Sequence, residues 1–174
     1  CGEREFGENK VQELLIKKDM LPKNIKWHMI GHLQKNKVKL IAPFIYMIQS
    51  VDNIELLEII NKYGEKNNRK IKCLIQIKIA KEDTKFGLSL KHGDELFKSN
   101  YQQKYPNIVI EGIMGMATFT NNARQIQKEF EMIKTIFQTL KNPKAILSIG
   151  MSNDYQLAYK LGSNMIRIGS AIFK

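Results

Sequence analysis

The stretch Trp27-His28-Met29-Ile30-Gly31-His32-Leu33-Gln34-Lys35-Asn36-Lys37 decides the fold class of this sequence. A short apolar run ends in His and Gly, and the residue types then change within a few positions to Gln-Lys-Asn-Lys. This change is typical of a buried strand that ends at a pocket and is followed by a helix. Two similar strand ends lie near the C-terminus, at Ser148-Ile149-Gly150-Met151-Ser152 and Ile166-Arg167-Ile168-Gly169-Ser170. Together the three strand ends predict a site for a phosphorylated small molecule.

Apolar runs and helical patterns alternate along the whole sequence. The longest helical pattern shows the period most clearly, because Ile126, Phe130, Ile133, Phe137 and Leu140 recur at steps of three and four. Strict alternation predicts βαβ units and a parallel sheet whose strands are apolar on both faces. The predicted strands cover residues 3–6, 25–30, 45–50, 72–79, 109–116, 145–150 and 165–169. The predicted helices cover residues 9–18, 34–42, 53–66, 90–101, 121–140 and 153–161.

Seven predicted strands leave two α/β architectures open. One is an open doubly wound sheet, and the other is a (β/α)8 TIM barrel whose first strand is absent from this sequence. The sequence begins at Cys1, and its first residues read as the end of a strand, which favours the barrel and predicts a first strand upstream. The G-x-G-x-x-G turn typical of a dinucleotide-binding sheet is absent. Residues 1–174 are therefore predicted to form a single barrel domain that is incomplete at its N-terminus.

Composition and charge argue against several classes of function. With 174 residues and 43% apolar content, the sequence fits one globular domain. No run approaches the roughly 18 apolar residues that cross a membrane, and no signal peptide is visible, so we expect a cytoplasmic protein with no membrane partner. Cys1 and Cys73 lack metal-ligand spacing, so we expect no metal site. The net charge of +11 would attract nucleic acid, but the lysines are scattered over every predicted helix without interleaved aromatics, so we expect no nucleic-acid partner.

Polar residues at the carboxyl ends of the predicted strands are the main candidates for the site. Ser152 follows Gly150 where a strand meets a helix, so it could cap that helix or help to bind an anion at the helix N-terminus. Arg167 lies in an otherwise apolar run, where a buried unpaired charge would be costly. It therefore either forms an internal ion pair or faces a ligand, together with Gly169 and Ser170 immediately after it.

Three further candidates have a structural interpretation that is equally good. His28 could be a hydrogen-bonded core histidine or a pocket residue, whereas His32 is expected to serve the loop or the solvent. Met116 ends a strand whose small residues and methionines could line an apolar wall or simply pack in the core. Asn9 follows Phe6-Gly7-Glu8 at a strand-to-helix turn, where it could cap the helix or donate to a ligand.

These blocks resemble the pyridoxal phosphate homeostasis proteins, the small single-domain relatives of the alanine racemase barrel. Residues 27–37 are similar to the signature of that family. Phe6-Gly7-Glu8-Asn9, Gly150-Met151-Ser152-x-Asp154 and residues 165–169 are further similar blocks in the same order, and the likeness covers nearly the whole chain. The resemblance implies a barrel of the alanine racemase kind with pyridoxal 5′-phosphate as its cofactor.

The resemblance also implies cofactor contacts at nine positions, which are Asn9, His28, Met116, Ser148, Met151, Ser152, Arg167, Gly169 and Ser170. Ser152, Gly169 and Ser170 would hold the phosphate. Met151 would contribute backbone, and Ser148 would border the same loop. Arg167 would face the pyridine nitrogen, and the remaining three residues would line the surroundings of the ring.

The resemblance further implies binding without substantial catalysis. In this family a lysine on the first strand holds the cofactor's aldehyde as a Schiff base, in a Val-Ser-Lys-like context that this sequence does not contain. A guanidinium beside the ring nitrogen disfavours protonation of that nitrogen and so weakens carbanion chemistry. We therefore expect a monomeric protein with no catalytic residues that binds pyridoxal phosphate and releases it to apo-enzymes. The alternative is a racemase-like enzyme on the same barrel.

Overall fold

The computed structural model describes residues 2–82, 86–140 and 142–173, in which strands and helices alternate as the sequence predicts. The strands are β1 (Glu5–Glu8), β2 (Lys26–Met29), β3 (Met47–Val51), β4 (Ile71–Ile77), β5 (Ile108–Gly115), β6 (Ile146–Met151) and β7 (Met165–Arg167). The helices are α1 (Val11–Met20), α2 (Val38–Ile41), α3 (Ile54–Lys66), α4 (Leu90–Lys98), α5 (Tyr101–Lys104), α6 (Ala123–Phe137) and α7 (Tyr155–Lys160). Within these ranges, no helix combines the length and the apolar character needed to cross a membrane.

The chain divides into two compact units, and the predicted single barrel domain stays a prediction. Unit 1 consists of Cys1–Leu74 and Asn100–Ile110, and unit 2 consists of Ile75–Ser99 and Glu111–Lys174. Strands β1, β2 and β3 belong to unit 1 and β6 and β7 to unit 2, while β4 and β5 each contribute residues to both. Each unit therefore contains its own part of the strand–helix alternation.

The described strand pairs are parallel in both units. In unit 1, β1 pairs with β2 and β2 with β3, which places Phe6 opposite Trp27 and His28 opposite Met47. In unit 2, β5 pairs with β6 and β6 with β7, which places Met151 opposite Arg167. Parallel pairing brings the carboxyl ends of neighbouring strands to one edge within each unit. The polar residues that follow those strands are therefore neighbours.

Each unit buries an apolar core. In unit 1, α3 buries Leu56, Leu57 and Ile60. In unit 2, α6 buries Ile126, Phe130 and Ile133 of the predicted stripe, and Ile136 is buried in its last turn. The other two predicted stripe residues, Phe137 and Leu140, are only partly buried, because the helix ends at Phe137. Truncation of a fully buried aromatic residue such as Phe130 to alanine would cost about 3–5 kcal/mol of stability.

Two predicted helices are interrupted in the structure. The first contains a 3₁₀ turn at Lys35–Lys37, which precedes the short helix α2. The second, predicted over residues 90–101, divides into α4 and α5 because the backbone of Ser99 is extended. The Oγ of Ser99 donates to the carbonyl oxygen of Leu96 at 2.7 Å, a local bond that competes with continuation of the helix.

Gly31, just after β2, contacts the segment after β1 and a residue of β3 in unit 1. A Cβ atom at this position would overlap the carbonyl oxygen of Asn9, so only glycine permits the approach of the two backbones. Ile30 N donates to the carbonyl oxygen of Glu8 at 3.0 Å, and Ser50 Oγ donates to that of Gly31 at 2.6 Å. The glycine of the 27–37 stretch therefore fixes the segment after β2 against the segment after β1.

Candidate functional site

Arg167 ends β7, and oxygen atoms of unit 2 hold its guanidinium. Nη1 donates to the carbonyl oxygen of Ser148 at 2.8 Å and to its Oγ at 2.6 Å. Nη2 donates to the carbonyl oxygen of Gly115 at 2.9 Å. No carboxylate among the described residues forms an ion pair with Arg167, so the predicted alternative of an internal ion pair is not what fixes this side chain.

Burial lowers the pKa of Arg167 to about 10, and the negative charge of Asp154 partly opposes this shift. Desolvation disfavours the charged form of a base, which explains the direction. Even at this value, the guanidinium stays protonated at neutral pH. The side chain therefore supplies a positive charge in a fixed position.

Two turns of unit 2 meet at the hydroxyl of Ser152. Its Oγ accepts hydrogen bonds from Gly169 N at 3.3 Å and from Ala171 N at 3.4 Å. Both distances are long for N–H···O bonds, so the hydrogen bonds that these two amides donate are weak. A Cβ at Gly169 would meet no atom within 4 Å, and the hydroxyl of Ser170 makes no hydrogen bond within the described part of the chain. Backbone amides and hydroxyls beside open space form a donor set suited to a phosphate.

Of the two alternatives for Ser152, capping of the following helix is wrong, and anion binding stays a prediction. Helix α7 begins at Tyr155, its N-cap residue is Asp154, and no side chain provides a capping hydrogen bond. The carboxylate Oδ1 of Asp154 instead accepts from Met151 N at 2.6 Å, which closes the turn and leaves Ser152 directed at the 169–171 segment. Because α7 has only six residues, its N-terminus is a weak source of positive potential, and the donors for an anion lie in the 169–171 turn.

Gly150, near the end of β6, lies close to helix α7. Its φ is +96°, and a Cβ atom there would lie 2.6 Å from the Cβ of Ala158 in α7. Any other residue would push the helix away from the strand. Gly150 therefore sets the path of the chain into the Ser152 turn.

Met116 lies in a segment that is anchored at both ends. The preceding residue, Gly115, accepts from Arg167. Two residues after Met116, Thr118 donates from its N and its Oγ1 to the buried carboxylate of Glu129, both at 2.7 Å. Met116 itself is partly exposed, as a residue bordering a pocket would be.

The two loop candidates of unit 1 differ in their contacts. Asn9 is exposed after β1, and the N-cap of α1 is Lys10, which makes no side-chain capping bond. Of the two alternatives for Asn9, capping of the helix is therefore wrong, because the chain remains extended for one residue more, and contact with a ligand stays a prediction. His32 lies with its Nδ1 2.7 Å from Oδ2 of the buried Asp52, in agreement with the expected role in the loop.

His28 is buried in unit 1 among side chains of the neighbouring strands. Its Nδ1 lies 2.9 Å from Nε2 of Gln49, and its Nε2 lies 3.6 Å from a carboxylate oxygen of Glu5. Since the Gln49 amide nitrogen can only donate, Nδ1 is the acceptor and the ring proton is assigned to Nε2. The ring also packs on Tyr46, with centroids 5.4 Å apart. The described ranges contain no group of three or more His, Cys, Asp or Glu residues that could hold a metal ion.

Three contributors to the unit 2 site were missed by the sequence reasoning. The Gly115 carbonyl and the Ala171 amide are backbone groups, which carry no signal in residue type. Asp154 does carry a signal, because it stands in the block Gly150-Met151-Ser152-x-Asp154. A carboxylate two positions after a predicted phosphate contact would repel the phosphate, so Asp154 is not expected to bind it directly. Its role is instead to accept a hydrogen bond from the amide of Met151.

The chain is similar to known proteins over its whole length. The model of the alanine racemase N-terminal domain family matches residues 1–174. The pyridoxal phosphate homeostasis protein of Helicobacter pylori is 35% identical over 176 residues, which cover 100% of this chain and 78% of that protein. The human pyridoxal phosphate homeostasis protein is 35% identical over 188 residues, which cover 99% of this chain and 68% of that protein.

Solved structures are similar as well. PipY of Synechococcus elongatus without PLP superimposes with a TM-score of 0.89 at 29% identity, covering 99% of this chain and 83% of that one. The same protein with PLP bound gives a TM-score of 0.85 at 28% identity, covering 99% and 82%. An alanine racemase of Bartonella henselae gives 0.74 at 20% identity, covering 99% and 46%, which is a likeness of fold. These similarities confirm the predicted fold class, an α/β barrel of the alanine racemase kind.

Proposed function

The chain belongs to the alanine racemase N-terminal domain family, and we propose that it binds pyridoxal 5′-phosphate and serves the homeostasis of this cofactor in the cytoplasm. The observation that carries the proposal is the pair of weakly used amides of Gly169 and Ala171 at Ser152, with a fixed Arg167 in the same unit. PipY, which is similar over 99% of this chain, has a structure with PLP bound. The relatives in Helicobacter pylori and human are named for pyridoxal phosphate homeostasis.

The phosphate would be held by the two turns that meet at Ser152. A phosphate oxygen accepts from backbone amides more strongly than a hydroxyl does, because charge-assisted hydrogen bonds are roughly twice as strong as neutral ones. Gly169 N and Ala171 N would exchange Ser152 Oγ for the phosphate, and the hydroxyls of Ser152 and Ser170 would donate to it. The open space at Gly169 is where the anion would lie.

Two neighbouring residues would support this arrangement without binding the phosphate through their side chains. Met151 holds the turn in place, because its amide donates to Asp154. Ser148 orients Arg167 through both its carbonyl and its hydroxyl oxygen. Met116, which lies in the same unit as Arg167, would border the ring.

Arg167 also favours binding over catalysis. When bound, the cofactor supplies an aldehyde that combines reversibly with amines and a pyridine ring that can accept electrons. We propose that Arg167 faces the ring nitrogen, where a guanidinium that is protonated at neutral pH keeps that nitrogen unprotonated. Exchange of the cofactor is then easier than carbanion chemistry, and the protein would act as a monomer that supplies pyridoxal phosphate to apo-enzymes.

The experiment is equilibrium dialysis of the full chain against pyridoxal phosphate and, separately, against pyridoxal. The proposal expects one equivalent of the phosphorylated form to be retained and the unphosphorylated form to bind at least tenfold more weakly. Equal retention of the two compounds would contradict the phosphate assignment. Conversion of L-alanine to D-alanine at enzyme-like rates, followed by optical rotation, would favour a racemase instead.

A further inference from the structure

A basic cleft of about 980 Å³ lies in unit 2, lined by the segment after β4 and the beginnings of α4 and α6. Five of its fourteen lining residues are lysine or arginine, compared with 28 of 174 in the whole chain. These five are Lys78, Lys81, Lys91, Arg124 and Lys128. The cleft shares no residue with the nine predicted cofactor positions. The sequence suggests scattered lysines, but the fold collects these five around one concavity.

Glu129 is the acidic residue among the described lining residues, and its hydrogen bonds come from neutral donors rather than from these cations. Glu129 already accepts from Thr118 N and Thr118 Oγ1, both at 2.7 Å, and from Gln125 Nε2 at 3.0 Å. Its carboxylate is therefore directed toward neutral donors of its own unit. The described lining residues, with five cations and one carboxylate, carry a formal charge of +4.

Most of the cations lack a competing internal partner. Among the described residues, Lys81, Arg124 and Lys128 take part in no ion pair, and Lys91 has only a 3.9 Å contact to Glu95 on the exposed face of α4. Like charges that share a concave surface raise the local potential and concentrate anions there. The starts of α4 and α6 at the same cleft add partial positive charge of the same sign.

We propose that this cleft binds a small anion of nucleotide size that carries at least two phosphate groups, a function separate from cofactor binding. The volume falls at the upper end of the roughly 300–1,000 Å³ typical of small-molecule pockets. The charge of the cleft matches a polyphosphate, and Ile79, Leu90 and Met132 offer an apolar wall for the rest of the ligand. Single-stranded nucleic acid is disfavoured, because the part of the lining that the structure describes contains no aromatic side chain on which bases could stack.

The test is a calorimetric titration of the full chain with ATP in the presence of saturating pyridoxal phosphate. We expect one site, and we expect Arg124→Glu with Lys128→Glu to weaken ATP binding at least tenfold. The matched control is Lys144→Glu with Lys160→Glu, which makes the same change in charge at exposed positions of unit 2 outside the cleft. The control should change the dissociation constant less than twofold. If the first double variant fails to fold, Lys81→Gln with Lys91→Gln should still weaken binding at least threefold.

Competitors distinguish the chemistry of the ligand. Inorganic tripolyphosphate should displace ATP, whereas adenosine should not. Equal weakening by the cleft variant and the control variant would show general charge attraction and overturn the proposal. Absence of ATP binding, displacement of ATP by added pyridoxal phosphate, or tighter binding of a single-stranded oligonucleotide than of ATP would overturn it as well. Retention of pyridoxal phosphate in the same samples tests the proposed cofactor function independently.

Discussion

His28 in unit 1 and Arg167 in unit 2 are both polar residues on apolar strands, but their hydrogen bonds have different partners. His28 contacts the side chains of Gln49 and Glu5, and its ring packs on Tyr46. Arg167 is held largely by backbone carbonyls, and the nearby 169–171 turn keeps amides that are only weakly used. We therefore propose that the polar contacts of His28 stabilise the strands of unit 1, whereas those of Arg167 hold its charge in place for a ligand of unit 2.

The largest effect is expected from Arg167→Ala. This change removes the fixed positive charge and the guanidinium hydrogen bonds to Ser148 and Gly115, so pyridoxal phosphate binding should weaken roughly a hundredfold, equivalent to about 2–3 kcal/mol. The cofactor affinity of Arg167→Lys should lie between that of the unmodified protein and that of Arg167→Ala, because a single ammonium cannot reproduce the planar set of donors of a guanidinium. Equilibrium dialysis measures the effect. A change of less than threefold in Arg167→Ala would remove the distinction between the two units.

Two glycines of unit 2 provide a sharper test of the open space at the site. Gly150→Ala should lower the free energy of unfolding by about 2 kcal/mol, since its φ is +96° and Ala158 lies in the way. Gly169→Ala should leave stability unchanged within about 0.5 kcal/mol, because its Cβ would meet open space, yet it should weaken cofactor binding. Urea denaturation and dialysis separate the two quantities. Tight binding by Gly169→Ala would show that the phosphate lies elsewhere.

Ser152→Ala should have a moderate effect. Loss of one charge-assisted hydrogen bond to the phosphate is expected to raise the dissociation constant about tenfold, or roughly 1.5 kcal/mol, because the two backbone amides still donate. Ser99→Ala is the matched control, since Ser99 also bonds to backbone in unit 2 but lies at the end of α4. If both variants weaken binding equally, the role assigned to Ser152 is wrong.

The smallest effect on binding is expected from His28→Gln. Its contacts to Gln49 and Glu5 are structural, so the change should cost about 1–2 kcal/mol of stability and less than threefold in cofactor affinity. Thermal unfolding and dialysis report the two effects. An affinity loss as large as that of Arg167→Ala would make His28 a principal ligand contact and would reverse the comparison.

Side-chain chemistry and periodicity predicted much of this molecule. The repeat of Ile126, Phe130 and Ile133 predicted α6 and its buried face, and the isolated charge of Arg167 in an apolar run predicted a special environment. Both are properties of residue type and spacing, which the sequence displays directly.

Local hydrogen-bond choices could not be predicted in the same way. Ser152 can cap a helix or accept from a distant turn, and which one occurs depends on the backbone path of residues 169–171. The N-cap of α1 is Lys10 and not its neighbour Asn9, and sequence patterns do not locate an N-cap to within one residue. The roles of Gly115 and Ala171 rest on backbone groups that every residue possesses.

The central claim is that the amides of Gly169 and Ala171 bind the cofactor's phosphate. Backbone ¹⁵N–¹H spectra of the labelled full chain, recorded during titration with pyridoxal phosphate, test it directly. The account predicts that these two amide protons move downfield, among the largest shifts in the spectrum, and that titration with pyridoxal does not reproduce them. If both amide signals keep their chemical shifts when the protein is saturated with pyridoxal phosphate, the claim is contradicted.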